Sequence, residues 1–164
     1  MKTQLYVFTN GEFDQNRLQE IYLMNQSNVP AVGSLESIDK LRDLLSICDY
    51  HSVLLLDKNF IGFSICFREG ASYWSENYKY FKQGLKKFLY IDRIAINQNY
   101  RRKGLGKLMY KDIFLNAQHE NLRVTAEVNT KPINQVSLDF HNYMGFEKIG
   151  ERQFDNHDVV YLIK

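Results

Sequence analysis

The stretch YIDRIAINQNYRRKGLGKLMYKDIFL (90–115) contains the pattern from which the fold of this chain can be predicted. It begins within an apolar run, FLYIDRIAI (88–96), that is typical of a buried β-strand. From Leu105 onward, apolar residues recur at helical spacing and predict a helix that ends near Glu120. A basic turn with two glycines separates the two elements. The sequence therefore predicts a strand that leads through this turn into a helix.

The turn has the composition of a phosphate-binding site. A helix start leaves backbone N–H groups free and carries a partial positive charge, and both features bind anions. Gly104 and Gly106 let the backbone approach such an anion closely. Four side chains add charged donors: Arg101, Arg102, Lys103 and Lys107. The pattern is neither a P-loop nor the three-glycine dinucleotide fingerprint. The alternative is a basic turn that merely starts a solvated helix.

The first half of the chain predicts a strand, two helices and a hairpin. Residues 3–8 form the first predicted strand, and a helix is predicted from Asp14, its N-cap, to Met24. A second helix is predicted from Ser34, its cap, to Ser46. The pattern of residues 52–67 is typical of a hairpin.

The second half adds the remaining elements. Residues 68–86 follow neither helical nor strand periodicity and are interpreted as a long aromatic-rich excursion. After the helix near Glu120, we expect a strand at 122–128, a helix at 134–144 and two final strands. The elements together predict an α/β fold with a mixed sheet.

Length and composition limit the function classes. The 164 residues fit one domain, 1–164, and the excess of 21 Lys and Arg over 19 Asp and Glu is too small to favour nucleic-acid binding. Cys48 and Cys66 are interpreted as reduced core residues of a cytoplasmic protein. Neither a signal peptide nor a membrane span is predicted. The histidines show no metal-ligand spacing, so no metal site is expected.

Two motifs in order resemble a known family. The pattern R-x-x-G-x-G at 101–106, following a strand, resembles the acetyl-CoA pyrophosphate loop of the GNAT acetyltransferases. The segment NQVSLDFHNYMGF (134–146) resembles the family's N-x-x-[AS]-x-x-[FL]-Y-x-x-x-G-F. Together with YIDRI, the pattern EVN-x-x-P-x-N-x-x-S-x-x-FH is similar to a poorly characterised bacterial branch. The resemblance implies a GNAT fold, with about six to seven strands in a mixed central sheet and about four flanking helices.

The resemblance also implies an activity and a coenzyme site. The expected reaction transfers an acetyl group from acetyl-CoA to a primary amine of a small molecule or peptide, by direct attack in a ternary complex. The pantetheine arm would enter where two central strands separate, and family members often form homodimers. The residues implied to hold the coenzyme are Ile94, Ile96, Arg101, Arg102, Lys103, Gly104, Leu105, Gly106, Lys107, Asn134, Ser137 and Phe140.

The family's proton-donating tyrosine is replaced here by His141. Asn134, Ser137 and His141 form one polar stripe of the last helix, whereas a second stripe is predicted to face the core. This second stripe contains Val136, Phe140, Tyr143 and Met144. A histidine can donate a proton near neutral pH, so His141 is a candidate acid for the departing thiolate. The alternative is that His141 only packs against or hydrogen-bonds to the coenzyme.

A base is useful because the attacking amine must be neutral. Asp92 aligns with an acidic residue that some family members use for this purpose, and Glu127 is a second candidate. For both carboxylates the alternative is a structural ion pair, with Arg93 as the natural partner of Asp92.

Aromatic and amide side chains are candidate contacts for the amine substrate. Trp74 and Tyr78 lie in the excursion, and aromatic faces attract cations. Asn25 in the early loop is a weaker candidate. Core packing or a dimer contact would explain the aromatic residues equally. The rival function is a non-catalytic acyl-CoA-binding or regulatory module of the same fold, because His141 departs from the family pattern.

Overall fold

The computed structural model describes the backbone of residues 3–8 together with residues 13–164. The strands form one sheet in the order β1-β2-β3-β4-β5-β7-β6. They are Thr3–Phe8 (β1), Tyr50–Leu56 (β2), Asn59–Arg68 (β3), Phe88–Ile96 (β4), Arg123–Lys131 (β5), Glu147–Gln153 (β6) and Asp158–Ile163 (β7). The helices in the described residues are Gln15–Ser27 (α1), Ile38–Ile47 (α2), Glu76–Gly84 (α3), Leu105–His119 (α4) and Gln135–Tyr143 (α5).

The predicted mixed sheet is confirmed, and its seven strands lie within the expected range. The described residues contain five α-helices rather than about four. The additional helix is α3, which lies in the excursion that follows neither periodicity. It has only nine residues, and Ser75 caps it by accepting a hydrogen bond from the Tyr78 amide. Two buried aromatic residues, Tyr78 and Phe81, are too few to establish a helical period in the sequence.

The caps of the first two helices were predicted with unequal success. Asp14 caps α1 as expected, and its carboxylate accepts from the Arg17 amide at 2.8 Å. The cap of α2 is Ser37, not Ser34, and the helix begins correspondingly later. Ser34 instead accepts a hydrogen bond from the Gln26 side chain at 3.2 Å. The prediction was wrong because both serines precede apolar residues at helical spacing.

The helices cover both faces of the sheet. On one face, α1, α2 and α3 pack against residues such as Phe63 and Tyr90, which are almost completely buried. On the other face, α4 and α5 pack against residues such as Leu89 and Ala126. The result is a three-layer α/β arrangement with the central strands between two apolar layers. None of the described helices has both the length and the apolar composition needed to cross a membrane.

Two irregularities of β4 shape the centre of the sheet. The parallel pairing of β4 with β5 covers three residue pairs and ends at Tyr90 and Thr125, so the strands separate beyond this point. On the other edge of β4, Ile65 pairs with Arg93 and Cys66 pairs with Ile91, which leaves Asp92 as the extra residue of a β-bulge. Such a bulge redirects the side chains that follow it. The strand separation and the bulge therefore occur at the same place.

Candidate functional site

The first cavity opens where β4 and β5 separate and extends to the start of α4. Its volume is about 840 Å³. Of the coenzyme-binding residues predicted from the sequence, all except Lys103 line it. The Lys103 ammonium instead lies 5.3 Å from the centre of the Tyr100 ring. The structure therefore brings the two sequence motifs, which are 33 positions apart at Arg101 and Asn134, to one cavity.

The basic turn places the start of α4 at the cavity wall. Gly104 is the N-cap of α4 with φ of 77°, and no side chain of the described residues caps this helix end. Arg102 also has a positive φ, 60°. Open space surrounds the position of a Cβ at Gly104, so its positive φ is the reason for glycine here. The uncapped N–H groups remain available for an anion.

The orientation of α5 differs from the prediction. Val136 and Tyr143 were predicted to face the core, but each is 68% exposed. His141, predicted on the polar stripe, is only 4% exposed. The stripes were assigned wrongly because the histidine finds a buried hydrogen-bond partner, which removes the cost of burying it. Asn134 caps α5 and accepts from the Ser137 amide at 3.2 Å.

The buried partner of His141 is Tyr110 on α4. The Tyr110 hydroxyl lies 2.7 Å from His141 Nε2, and His141 Nδ1 lies 2.8 Å from the Ser137 carbonyl oxygen. Because a carbonyl only accepts, Nδ1 carries the proton, and neutral Nε2 accepts from the tyrosine hydroxyl. Burial lowers the pKa of His141 and raises the pKa of Tyr110. Both side chains are therefore neutral near pH 7, and both line the first cavity.

Glu127 on β5 lies between the first cavity and a second one, and it lines both. Its Oε1 accepts from the Asn77 amide at 3.2 Å, and Asn77 in turn accepts from the Tyr161 hydroxyl at 3.0 Å. Its Oε2 is buried and accepts no hydrogen bond within bonding distance in the described residues. Burial and then the charge of Asp92 raise the pKa of Glu127 to about 8, whereas the Tyr90 hydroxyl, which is also buried without a partner among these residues, is close enough to lower it. The carboxyl group can thus take up or release a proton near neutral pH.

Asp92 forms the ion pair that was its alternative interpretation. One carboxylate oxygen accepts from the Tyr73 hydroxyl at 2.7 Å, and the other accepts from Arg93 Nε at 2.7 Å. Arg93 also donates to Asn25 Oδ1 at 2.8 Å and to the Gly33 carbonyl at 3.2 Å. The network fixes the chain that follows α1 against β4, and the Asp92 charge acts on Glu127.

The second cavity, of about 870 Å³, lies on the α2 side of the site. Asp92, Arg93 and Glu127 line both cavities, and residues 29–32 do so too. Trp74 lies at its edge with 75% of its surface exposed. The two cavities therefore meet at the same carboxyl group, that of Glu127.

Two predicted substrate contacts do not reach either cavity. Asn25 is completely buried, because its side chain bridges Arg93 and the Gly33 carbonyl. Tyr78 is also completely buried, and its hydroxyl donates to the Arg68 carbonyl at 2.6 Å. Both predictions were wrong, since the residues are held in the core. Trp74 is the predicted substrate contact that lines the second cavity.

Sequence reasoning missed Tyr110 and Asn77, and it assigned Tyr143 to the core. A tyrosine on the buried face of α4 needs a hydroxyl partner, which is the signal that could have identified Tyr110. Tyr143 lines the first cavity beside Lys107, whose ammonium donates to its hydroxyl at 2.9 Å. Asn77 carries no sequence signal, because only the fold brings it to Glu127.

The cysteines lie outside both cavities. Cys66 is completely buried and Cys48 is half-buried, and both are free thiols. Burial raises the pKa of Cys48 to about 12 and the pKa of Cys66 well above its ordinary value. The described residues contain no group of three or more His, Cys, Asp or Glu side chains arranged to hold a metal ion.

Comparisons with known proteins agree on the family and the fold. The sequence profile of the Acetyltransferase (GNAT) family matches residues 18–146. No curated protein matches the chain by sequence. Solved structures match it over nearly its whole length, at low identity. NAA60 from Arabidopsis thaliana, solved with a bisubstrate analogue, is 11% identical with a TM-score of 0.73, over 98% of this chain and 97% of that one.

Two bacterial structures show the same similarity. The ribosomal-protein-S18-alanine N-acetyltransferase from Escherichia coli is 12% identical, with a TM-score of 0.68, over 98% of this chain and 92% of that one. A GNAT family acetyltransferase from Elizabethkingia anophelis, solved with acetyl-CoA bound, is 14% identical, with a TM-score of 0.64, over 98% and 96%. At these identities the structures establish a shared fold.

Proposed function

The chain belongs to the GNAT acetyltransferase family, and we propose that it transfers the acetyl group of acetyl-CoA to a primary amine by direct attack in a ternary complex. One observation carries the proposal. Glu127 is a half-buried carboxyl group that lines both cavities, and its Oε2 accepts no hydrogen bond within bonding distance in the described residues. A base in this position can meet an amine that enters from one cavity and a thioester that enters from the other.

The residues of the first cavity fit acetyl-CoA. The pyrophosphate would bind to the uncapped N–H groups of α4 and to the basic side chains of residues 101–107. The amides of the pantetheine arm would pair with the edge of β4 beyond Tyr90, where β5 no longer pairs with it. When bound, acetyl-CoA supplies a thioester whose carbonyl carbon accepts the amine. Phe140 lies next to Gly106 and would pack against the arm.

Glu127 is proposed to accept the amine proton. An ammonium group cannot attack, because its nitrogen has no free electron pair. A carboxylate whose conjugate acid has a pKa of about 8 is basic enough to accept a proton from an ammonium group. Asn77 holds Oε1, which leaves Oε2 to receive the proton. Asp92 contributes through its negative charge, which together with burial raises the pKa of Glu127, because both of its oxygens already accept hydrogen bonds.

The departing thiolate needs a proton, and we assign its supply to the pair of Tyr110 and His141. The sequence-based hypothesis placed this role on His141 alone. In the pair, neutral His141 has no proton on Nε2, so the donor is the Tyr110 hydroxyl, which His141 holds at rest and which turns from Nε2 to the thiolate sulfur to release its proton. The tyrosine is then reprotonated from water. The family tyrosine would thereby be replaced by a tyrosine from a different helix.

A non-catalytic acyl-CoA-binding module is the second candidate. The observation in its favour is that His141 is buried and has partners on both ring nitrogens. Such a module would keep the first cavity and need no base. Glu127, whose Oε2 accepts no hydrogen bond in the described residues, is the feature that this alternative leaves unexplained.

Thiol release from acetyl-CoA, measured with and without a panel of primary amines, separates the two candidates. We expect release that requires an amine and saturates with it. Calorimetry with CoA provides the control for binding. Tight CoA binding without amine-dependent release from any amine would favour the binding module and contradict the proposed enzyme.

A further inference from the structure

We propose that the acceptor is the α-amino group at the N-terminus of a peptide or protein chain, whose first residues lie in the second cavity. The inference rests on the proposed acetyl transfer and names its substrate class. Size, charge balance and hydrogen-bonding capacity of the second cavity each support it.

The second cavity has room for an acceptor much larger than a small amine. Its volume of about 870 Å³ is close to the upper end for sites that enclose drug-sized ligands. It reaches from Glu127 at its inner end to Trp74, whose ring is largely exposed at the rim. An acceptor that fills this space places its amine at Glu127 and extends several residues outward. A chain terminus has this shape.

Of the four carboxylates in the described residues that line the second cavity, Asp43 and Asp92 are paired with cations, Glu127 is the proposed base, and Glu36 is exposed to water. The Asp43 carboxylate lies 3.9 Å from the Lys40 ammonium, and Asp92 is paired with Arg93 at 2.7 Å. Both cations line the cavity as well. A polyamine or an aminoglycoside carries several ammonium groups, and each would need an unpaired carboxylate when it leaves water. The wall therefore favours an acceptor whose single charge is the reacting amine.

The remaining wall offers amide and apolar contacts. Asn129 donates to the Pro30 carbonyl at 3.0 Å, and its own side-chain oxygen can accept a further hydrogen bond. The apolar part of the wall includes Val32, Leu35, Leu44, Ile47 and Trp74. Neutral amides beside apolar surface suit a peptide backbone with an uncharged first side chain.

The proton affinities of Glu127 and of the possible amines support the same substrate class. An α-ammonium has a pKa of about 7.7–8, whereas a lysine ammonium has a pKa of about 10.4. Because the pKa of Glu127 is raised to about 8, proton transfer from an α-ammonium is nearly balanced. Transfer from a lysine would be disfavoured by roughly two orders of magnitude.

A matched acceptor panel tests the substrate class. The first arm is a set of lysine-free heptapeptides that carry each of the twenty residues at a free N-terminus. The other arms are the same peptides with a blocked N-terminus and one internal lysine, free amino acids, and spermidine. We expect kcat/KM for the best free N-terminus to exceed that of every other arm at least about 100-fold. Mass spectrometry should locate the acetyl group on the α-nitrogen.

Two variants test whether the second cavity holds the peptide. Trp74→Ala removes an exposed rim residue, and the KM for the peptide should rise at least about fivefold while the KM for acetyl-CoA stays within about twofold. Leu115→Ala is the control, because Leu115 is 57% exposed and lines neither cavity. Both constants should stay unchanged in this variant.

Each alternative result has a defined meaning. Preference for lysine, spermidine or free amino acids would overturn the N-terminal assignment and leave the acetyltransferase assignment intact. A Trp74→Ala variant with an unchanged peptide KM would remove the second cavity as the peptide site. Failure of every amine to release thiol, with CoA still bound, would overturn the proposed function itself.

Discussion

The two cavities that meet at Glu127 differ in how the sequence specifies them. The first contains one continuous motif, the turn at 101–107, which forms its wall together with residues 27–32, the second half of β4 and one face of α5. The wall of the second combines the chain after α1, part of α2, residues near Trp74, and Asn156 with His157. A shared coenzyme can be bound by one local motif that recurs across a family. An acceptor is bound by segments that only tertiary structure brings together, so it can vary without changing the motif.

The largest effect should come from the proton donor beside the first cavity. If the Tyr110 hydroxyl protonates the thiolate, Tyr110→Phe should lower kcat about 10²–10⁴-fold, the usual contribution of a general acid. KM for acetyl-CoA should change little, because residues 101–107 are untouched. Steady-state kinetics, with single-turnover measurements to show that chemistry limits the rate, gives the answer.

His141→Ala is the matched variant, since it keeps the Tyr110 hydroxyl and removes the ring that positions it. It should lose less of kcat than Tyr110→Phe does. His141→Tyr should recover part of the rate, because a phenol at this position can donate a proton. Circular dichroism verifies that the buried substitutions leave the fold intact. A loss of less than threefold in both Tyr110→Phe and His141→Ala would assign the proton to water.

A smaller effect, on CoA affinity, should come from a charge placed at the proposed anion site of the first cavity. Gly104→Glu places a carboxylate at the start of α4 and should weaken CoA binding at least about tenfold in calorimetry. Gly104→Gln is the control for backbone strain, because both side chains meet the same φ of 77°. Equal affinities for the two variants would mean that charge at this helix end does not matter to the ligand.

The pH dependence of stability tests the environment of Glu127. A carboxyl group whose pKa is raised on folding stabilises the protein at low pH, and this contribution is lost as the pH rises from about 4.5 to about 8. Glu127→Gln cannot ionise, so its Tm should exceed that of the wild type by a margin that grows between pH 5 and pH 8. We expect a change in this margin of at least about 5 °C by scanning calorimetry. A constant margin would show that Glu127 titrates normally.

The smallest effect should come from the cysteines. Direct attack needs no acetyl-enzyme, and burial disfavours both thiolates. The double variant Cys48→Ala, Cys66→Ala should keep kcat within about twofold. Radiolabelled acetyl groups trapped on either cysteine, at a rate that matches turnover, would refute the direct mechanism.

Much of the fold was predictable because its signals are local. The strand–turn–helix at 88–119 and the cap at Asp14 follow from hydrophobic periodicity and capping chemistry. The helix α3 was not predictable, because nine residues with mixed aromatics lack a clear period. The extent of the whole chain as one domain, its location in the cell and its oligomeric state stay predictions.

The chemistry of the site was only partly predictable, because it depends on pairings across the fold. The residues of the predicted coenzyme motif, except Lys103, line one cavity, but the burial of His141 depends on Tyr110, which is 31 positions earlier in the sequence. Glu127 was one of two candidate bases in the sequence. Only the tertiary structure shows that the other, Asp92, has hydrogen-bond partners on both oxygens. Asn25 and Tyr78 were misassigned for the same reason, since a polar residue in the sequence does not reveal a buried partner.

The central claim is that Glu127 takes the proton of the acceptor amine, and the pH profile of kcat/KM for the wild type and Glu127→Gln tests it most directly. For the wild type, kcat/KM should rise with pH and level off above about 8, because the base acts in its ionised form. The Glu127→Gln variant should be about 10²–10⁴-fold slower at pH 8 with an unchanged affinity for CoA. A variant within threefold of the wild type across the whole profile, with chemistry shown to limit the rate, would contradict the claim.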